Sequence, residues 1–211
     1  MSYRSLSLPL LTLAILLFCN GSACQQEQAG NKEIIYSESA FRNGDIIFQR
    51  GMNIVSTFVV SVDSRSDYSH VGIVYKSHNH TFVIHILPDD NKSKDDVVRI
   101  EPLADFLSPG KTSGIALYRF SENKRNIPSR AVDFALSFLK RRIHYDYDLD
   151  YKTREKLYCT ELVWRAYRMA DVDLIDGNFE SVDFPFYKGK YILISNLLKS
   201  KRLEEVSINS I

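Results

Sequence analysis

Five short apolar runs separated by polar turns constrain this chain's fold more than any other feature. They are "GDIIFQ" (44–49), "HVGIVY" (70–75), "TFVIHI" (81–86), "VVRI" (97–100) and "IALYRF" (115–120). Runs this short, rich in β-branched and aromatic residues, suit strands and are too brief for helices. "KSHNH" between the second and third runs supplies the polar residues of a hairpin turn. "NIVSTFVVSV" fits helix or strand equally, because its periodicity does not decide. Pro128 opens "PSRAVDFALSFLKRR", where Ala131, Ala135, Leu136, Phe138 and Leu139 form an apolar face. Lys140, Arg141 and Arg142 then complement the helix C-terminal dipole. After the acidic loop "YDYDLDY" a second amphipathic helix starts at Cys159, with Leu162, Val163, Ala166 and Tyr167 as its buried stripe and Arg165 and Arg168 outside. The order predicts an α+β domain spanning 41–211, an antiparallel sheet packed against helices.

Composition bounds the partners. With 211 residues, 45% hydrophobic and 25% charged, the chain can fill one domain core. A formal net charge of +1 gives no basic excess for nucleic acid, so no nucleic-acid partner is expected. At the N-terminus, Arg4 precedes the apolar run "LPLLTLAILLF", and Gly21, Ser22 and Ala23 precede Cys24. That pattern reads as a cleaved signal peptide over 1–23, followed by a polar tether over 24–40. "GSAC" resembles a lipoprotein signature, although Gly21 stands where that motif usually has an aliphatic residue. Lipidation of Cys24 would attach the protein to the membrane, at the periplasmic or outer-membrane face of a cell envelope; without it the chain is secreted. Beyond the leader, no stretch approaches the ~18 apolar residues of a membrane-spanning helix.

Of three cysteines, Cys19 and Cys24 fall at the leader and its exit, leaving Cys159 in the domain. A lone thiol in an exported protein is either a small core residue or a reactive group. At a helix N-terminus the unpaired N–H groups favour a thiolate, so a lowered thiol pKa is the expectation. A nucleophile needs a base and a group to orient that base. Of the five histidines, His78 and His80 fall in the turn and read as surface. His70 heads one strand and His85 sits among apolar residues of the next. Taking Lys76–His80 as the connection sets Tyr75 against Thr81, and His70 then falls within a residue of Ile86. One register step brings the two imidazoles onto one face. A core histidine plus an edge histidine is the competing reading. Asp45 in "GD" reads as a turn-fixing side chain. "DYDLDYKTREKL" begins like a calcium loop, but Tyr151 replaces the required glycine and Leu157 the bidentate glutamate, so no calcium is expected. A single cysteine cannot build a structural zinc site, and no cofactor is expected.

"NGDIIFQR", "SHVGIVY", "YDYD" and "YCTELVWRAY", in that order, resemble the YiiX/YaeF/YebB-type proteins. These are circularly permuted members of the NlpC-type papain-like superfamily, whose unpermuted relatives carry the cysteine helix first. The resemblance implies Cys159 as nucleophile, His70 as general base, His85 as the third, orienting group and Tyr145 as an oxyanion donor. Two departures stand out. YiiX-like members usually carry Glu at the position of His85, and Ile143–His144 replaces the Gly-Pro type of pair before the tyrosine. The resemblance implies a cysteine hydrolase using a thioester intermediate, with a peptide or peptidoglycan-derived amide as substrate. A related permuted group, the lecithin retinol acyltransferase-like enzymes, moves lipid acyl groups. "STFVVSV" and "VDFPFY" hold enough apolar side chains to line an acyl channel. A non-catalytic envelope binding module on the same fold is the third reading.

Overall fold

A computed structural model describes residues 34–52, 54–88, 96–124, 126–184 and 187–208. The expected leader and the Cys24 lipidation site lie outside them. The strands are β1 Ile46–Gly51, β2 His70–Ser77, β3 His80–His85, β4 Arg99–Pro102, β5 Thr112–Phe120, β6 His144–Tyr145, β7 Lys156–Leu157, β8 Glu180–Phe184, β9 Tyr187–Tyr191 and β10 Leu203–Val206. The helices are α1 Ile54–Val62, α2 Leu103–Phe106, α3 Asn126–Lys140, α4 Cys159–Met169 and α5 Ile194–Leu198. Six strands form one sheet in the order β10–β5–β1–β2–β3–β4, antiparallel throughout. The α+β expectation holds.

The sheet is covered on both faces, which explains apolar runs that do not alternate with polar residues. Ile46 and Phe48 of β1 and Val71 and Ile73 of β2 pack with α3 and α4 through Ala131, Ala135, Phe138, Leu162, Val163 and Tyr167. Ile47 and Val74 point to the opposite face, against Phe41, Leu103, Phe106 and Leu107. Tyr167 is fully buried, and its hydroxyl donates to the Gly44 carbonyl at 2.6 Å, fastening α4 to the turn before β1. Gly44 itself needs its freedom: its φ is +85°, and a Cβ there would sit 2.4 Å from Pro128 Cβ.

"NIVSTFVVSV" resolves as helix, with Ser56 and Asp63 buried, Val59 half-buried and Thr57 and Ser61 exposed, a helical period. The hairpin turn is tighter than expected. His78 and Asn79 both take positive φ, 50° and 66°, as a two-residue type I′ turn requires. Ser77 pairs with His80 and Tyr75 with Phe82, one residue away from the expected partner Thr81. Residues 34–40, assigned by composition to the tether, are tied to the domain. Ser37 N–H donates to the Ile208 carbonyl at 3.0 Å and the Arg119 guanidinium to the Ala40 carbonyl at 2.7 Å.

Candidate active site

Cys159 opens α4, whose N-cap residue Tyr158 makes no side-chain cap. The first intrahelical bond is Leu162 N–H to the Tyr158 carbonyl at 2.8 Å, so the earlier N–H groups are free of the helix ladder. The N–H groups of Thr160, Val71 and Cys159 itself turn toward the sulfur. Thr160 pins this turn through its hydroxyl, which donates to the Ile192 carbonyl at 2.6 Å. The thiol is half-buried at the wall of a cavity of about 910 Å³. Burial pushes its pKa up, to about 11, with the three N–H groups pulling the other way. This reverses the lowered pKa expected from the helix dipole: at this helix end desolvation outweighs the N–H field.

His70 and His85 do come together. His70 Nε2 lies 3.0 Å from His85 Nδ1, with both rings almost wholly buried. They are not directly opposed. Continuing the β2–β3 register from Ile73–Ile84 sets Gly72 against His85, so the imidazoles are diagonal neighbours on one face. Gly72 supplies the space. A Cβ at Gly72 would lie 2.5 Å from Val83 Cγ1, 3.0 Å from the Ile84 carbonyl oxygen and 3.1 Å from His85 Cβ. We expect Gly72→Ala to cost about 1–3 kcal/mol through overpacking and to separate the two rings. A denaturant melt and a crystal structure check this; unchanged stability with the 3.0 Å contact intact would show that the space is not needed.

The pair has a third member that sequence reasoning missed. His85 Nε2 lies 3.2 Å from Glu101 Oε2, an oblique approach that falls short of a straight hydrogen bond. Lys111 Nζ binds the other oxygen, Oε1, at 2.9 Å. His85 and Lys111 hold the Glu101 pKa down at about 2, against partial burial. Phe106 packs on both imidazoles, with ring centroids 5.9 Å from His70 and 5.2 Å from His85. Burial drives the pKa of both histidines below the ordinary value. For His70 the His85 charge adds to this; for His85 the Glu101 carboxylate opposes it.

Tyr145 in β6 lines the same cavity as Cys159, His70 and His85, and its ring packs edge-on against Tyr147 at 5.1 Å. The remaining walls are largely apolar, including Val59, Val62, Ile86, Leu87, Ile192 and Ile194. Arg165, expected outside, is largely buried. It pairs with Glu161 at 2.6 Å and donates to the carbonyls of Tyr151 and Thr153, anchoring the loop before the cysteine. Asp146 fixes that loop, accepting from the N–H groups of Asp148 at 3.1 Å and Asp150 at 2.8 Å. Asp45 accepts from the Arg42 N–H at 2.8 Å, as a turn-fixing side chain should, and also holds Arg119 bidentately. His78 and His80 are exposed, as the surface reading expects, but only His78 is in the turn; His80 is the first residue of β3. His144 pairs with Asp96 at 2.7 Å.

A cysteine-headed helix packed on an antiparallel sheet, and following the histidine strands in the chain, defines a circularly permuted papain-like fold. The chain belongs to the permuted papain-like amidase family YaeF/YiiX, C92, whose profile matches residues 40–184. Membership makes it a cysteine hydrolase of amidase type. The crystal structure of YiiX from Escherichia coli O157:H7, described as a metalloprotein, superposes with a TM-score of 0.62 at 18% identity, covering 81% of this chain and 98% of that one. No curated protein matches the chain. Among the described residues, no three His, Cys, Asp or Glu side chains are grouped to hold a metal ion.

Proposed function

We propose that the chain hydrolyses an amide bond with Cys159 as nucleophile, His70 as general base, His85 as orienting group and Tyr145 as oxyanion donor. One observation carries this reading: the thiol at an uncapped helix N-terminus shares a cavity with a hydrogen-bonded histidine pair. His70 Nε2 is engaged by His85, so Nδ1 is the nitrogen left for the thiol proton. The raised thiol and lowered imidazole pKa values favour a neutral pair at rest. Proton transfer then accompanies attack: Sγ bonds to the amide carbon as its proton passes to His70. The oxyanion is met by the Cys159 N–H and the Tyr145 hydroxyl. His70 returns the proton to the departing amine, leaving a thioester. Water, deprotonated by His70, attacks the thioester, and the carboxylic acid leaves as the thiol re-forms.

The leader pattern supports export, and lipidation at Cys24 would tether the enzyme in the envelope, where peptide amides of the cell wall are the substrate class at hand. The apolar cavity supports a second reading, in which the acyl group of a lipid is taken. Met52 and Tyr147, exposed by 52% and 39%, stand at that cavity and add to its apolar character. Incubation with separate peptidoglycan and phospholipid pools, followed by mass spectrometry, separates the two. New amine and carboxyl ends in the first pool uphold the amidase; fatty acid release in the second alone upholds the lipid reading; no product from either leaves a binding module.

The working form needs a neutral histidine pair, and protonation comes only below the ordinary histidine pKa of ~6.5. The acid limb of kcat/KM should therefore have its midpoint below pH ~6.5, with activity retained above it. A limb centred at or above that value would contradict the buried, neutral pair.

A further inference from the structure

We infer that Glu101 is a positioning residue that sets the tautomers of both histidines, so that His70 presents an unprotonated Nδ1 to Cys159; the catalytic consequence rests on the cysteine-hydrolase reading. His70, His85 and Glu101 lie on three adjacent strands, β2, β3 and β4, stepping diagonally across one face of the sheet. In the β3–β4 register His85 opposes Arg99 and Val83 opposes Glu101, so Glu101 is diagonal to His85, as His70 is on the other side.

Two hydrogen-bonded neutral imidazoles have two mirror arrangements. In one, His85 carries its proton on Nδ1 and donates to His70 Nε2. The His70 proton then sits on Nδ1, the nitrogen left for Cys159, and the ring is useless as a base. In the other, His85 is protonated on Nε2, its Nδ1 accepts from His70 Nε2–H, and His70 Nδ1 is bare. The 3.0 Å contact fits both arrangements.

Glu101 separates them. An ionised carboxylate only accepts. With Oε2 placed 3.2 Å from His85 Nε2, it attracts an N–H there and repels a lone pair. Lys111 occupies Oε1, and His85 first and Lys111 second hold the carboxylate ionised, so Oε2 remains for His85. The charged groups bearing on His85 are Glu101, Arg99 and Lys111; on His70 they are His85, Glu101 and Arg99. Of these, Glu101 is the acceptor. The carboxylate thus acts on Cys159 through two rings, and His85 relays the choice of tautomer.

Nitrogen-15 spectra of the imidazoles distinguish protonated from bare ring nitrogens and need no substrate. In the wild-type chain at pH 7 both His70 and His85 should appear as Nε2–H tautomers. In Glu101→Ala the His85 shifts should move toward averaging between the two forms. Activity should fall about 10–100-fold, as for other outer-shell orienting groups, and the acid limb should move to lower pH, because the charge that raises both pKa values is gone. Lys111→Ala keeps the carboxylate and should keep both tautomers. A wild-type His70 protonated on Nδ1, or unchanged tautomers in Glu101→Ala, would overturn the inference whatever the activity. Tautomers behaving as stated in a chain that hydrolyses no amide would uphold the relay and remove the hydrolase reading instead.

Discussion

Replacing Cys159 with alanine should lower amide hydrolysis by about 10⁴–10⁶-fold while leaving the fold intact. Losing the nucleophile or its base in a unit of this kind costs about 10⁶ in kcat, and what remains comes from binding and oxyanion stabilisation alone. His70→Ala should cost nearly as much, and the double variant little more, because the two act as one unit. Stability should change little. Cys159 is half-buried at a cavity wall, and the stripe of Leu162, Val163, Ala166 and Tyr167 that holds α4 is untouched. Rates for the three variants, read beside their thermal melts, check this. Near-wild-type hydrolysis by folded Cys159→Ala would place the chemistry elsewhere.

The second large effect concerns folding. Asp45 is 2% exposed and accepts from Arg119 Nε at 2.8 Å, Arg119 Nη2 at 2.7 Å and the Arg42 N–H at 2.8 Å. Burial still raises its pKa despite those partners, so the pair is not a large net gain over an apolar one. Breaking it is another matter. Asp45→Ala would strand the Arg119 guanidinium, only 17% exposed, and leave the Arg42 N–H without its carboxylate. Removing one member of a buried pair costs about 3–5 kcal/mol. Urea unfolding should show that loss, with activity per folded molecule retained, because Asp45 stands apart from the cavity. A loss under about 1 kcal/mol would mean that water screens the pair.

Strands β1, β2 and β3 were legible because each buries a nearly continuous apolar run, β5 because its apolar residues run from Ile115 to Tyr118 with Ala116 and Leu117 buried, and α3 and α4 because each buries one stripe. β10 was not: "LEEV" buries only Leu203 and gains its place at the sheet edge from backbone pairing with β5. α1 stayed open because Ile54–Val62 is apolar almost throughout, and only packing separates its helical period from a strand. In the site, the two histidines were legible as candidates but their geometry was not. It depends on a two-residue turn at His78–Asn79 and on the missing side chain of Gly72. Glu101 was hidden altogether. "RIEP" is short and half-exposed, and nothing local distinguishes its carboxylate from a surface one. The signal was there at one remove: once β4 is paired to β3 by register, Glu101 falls diagonal to His85. The state of the thiol could not be read at all, since the dipole argument omits the burial that reverses it.

Brief reaction with an activated acyl donor such as p-nitrophenyl hexanoate, quenched in acid and followed by peptide mass mapping, tests most directly whether Cys159 forms a thioester. The account predicts one hexanoyl group on the peptide carrying Cys159, released on further incubation and strongly reduced in His70→Ala. An adduct on another residue, or equal acylation of Cys159 without His70, would contradict it.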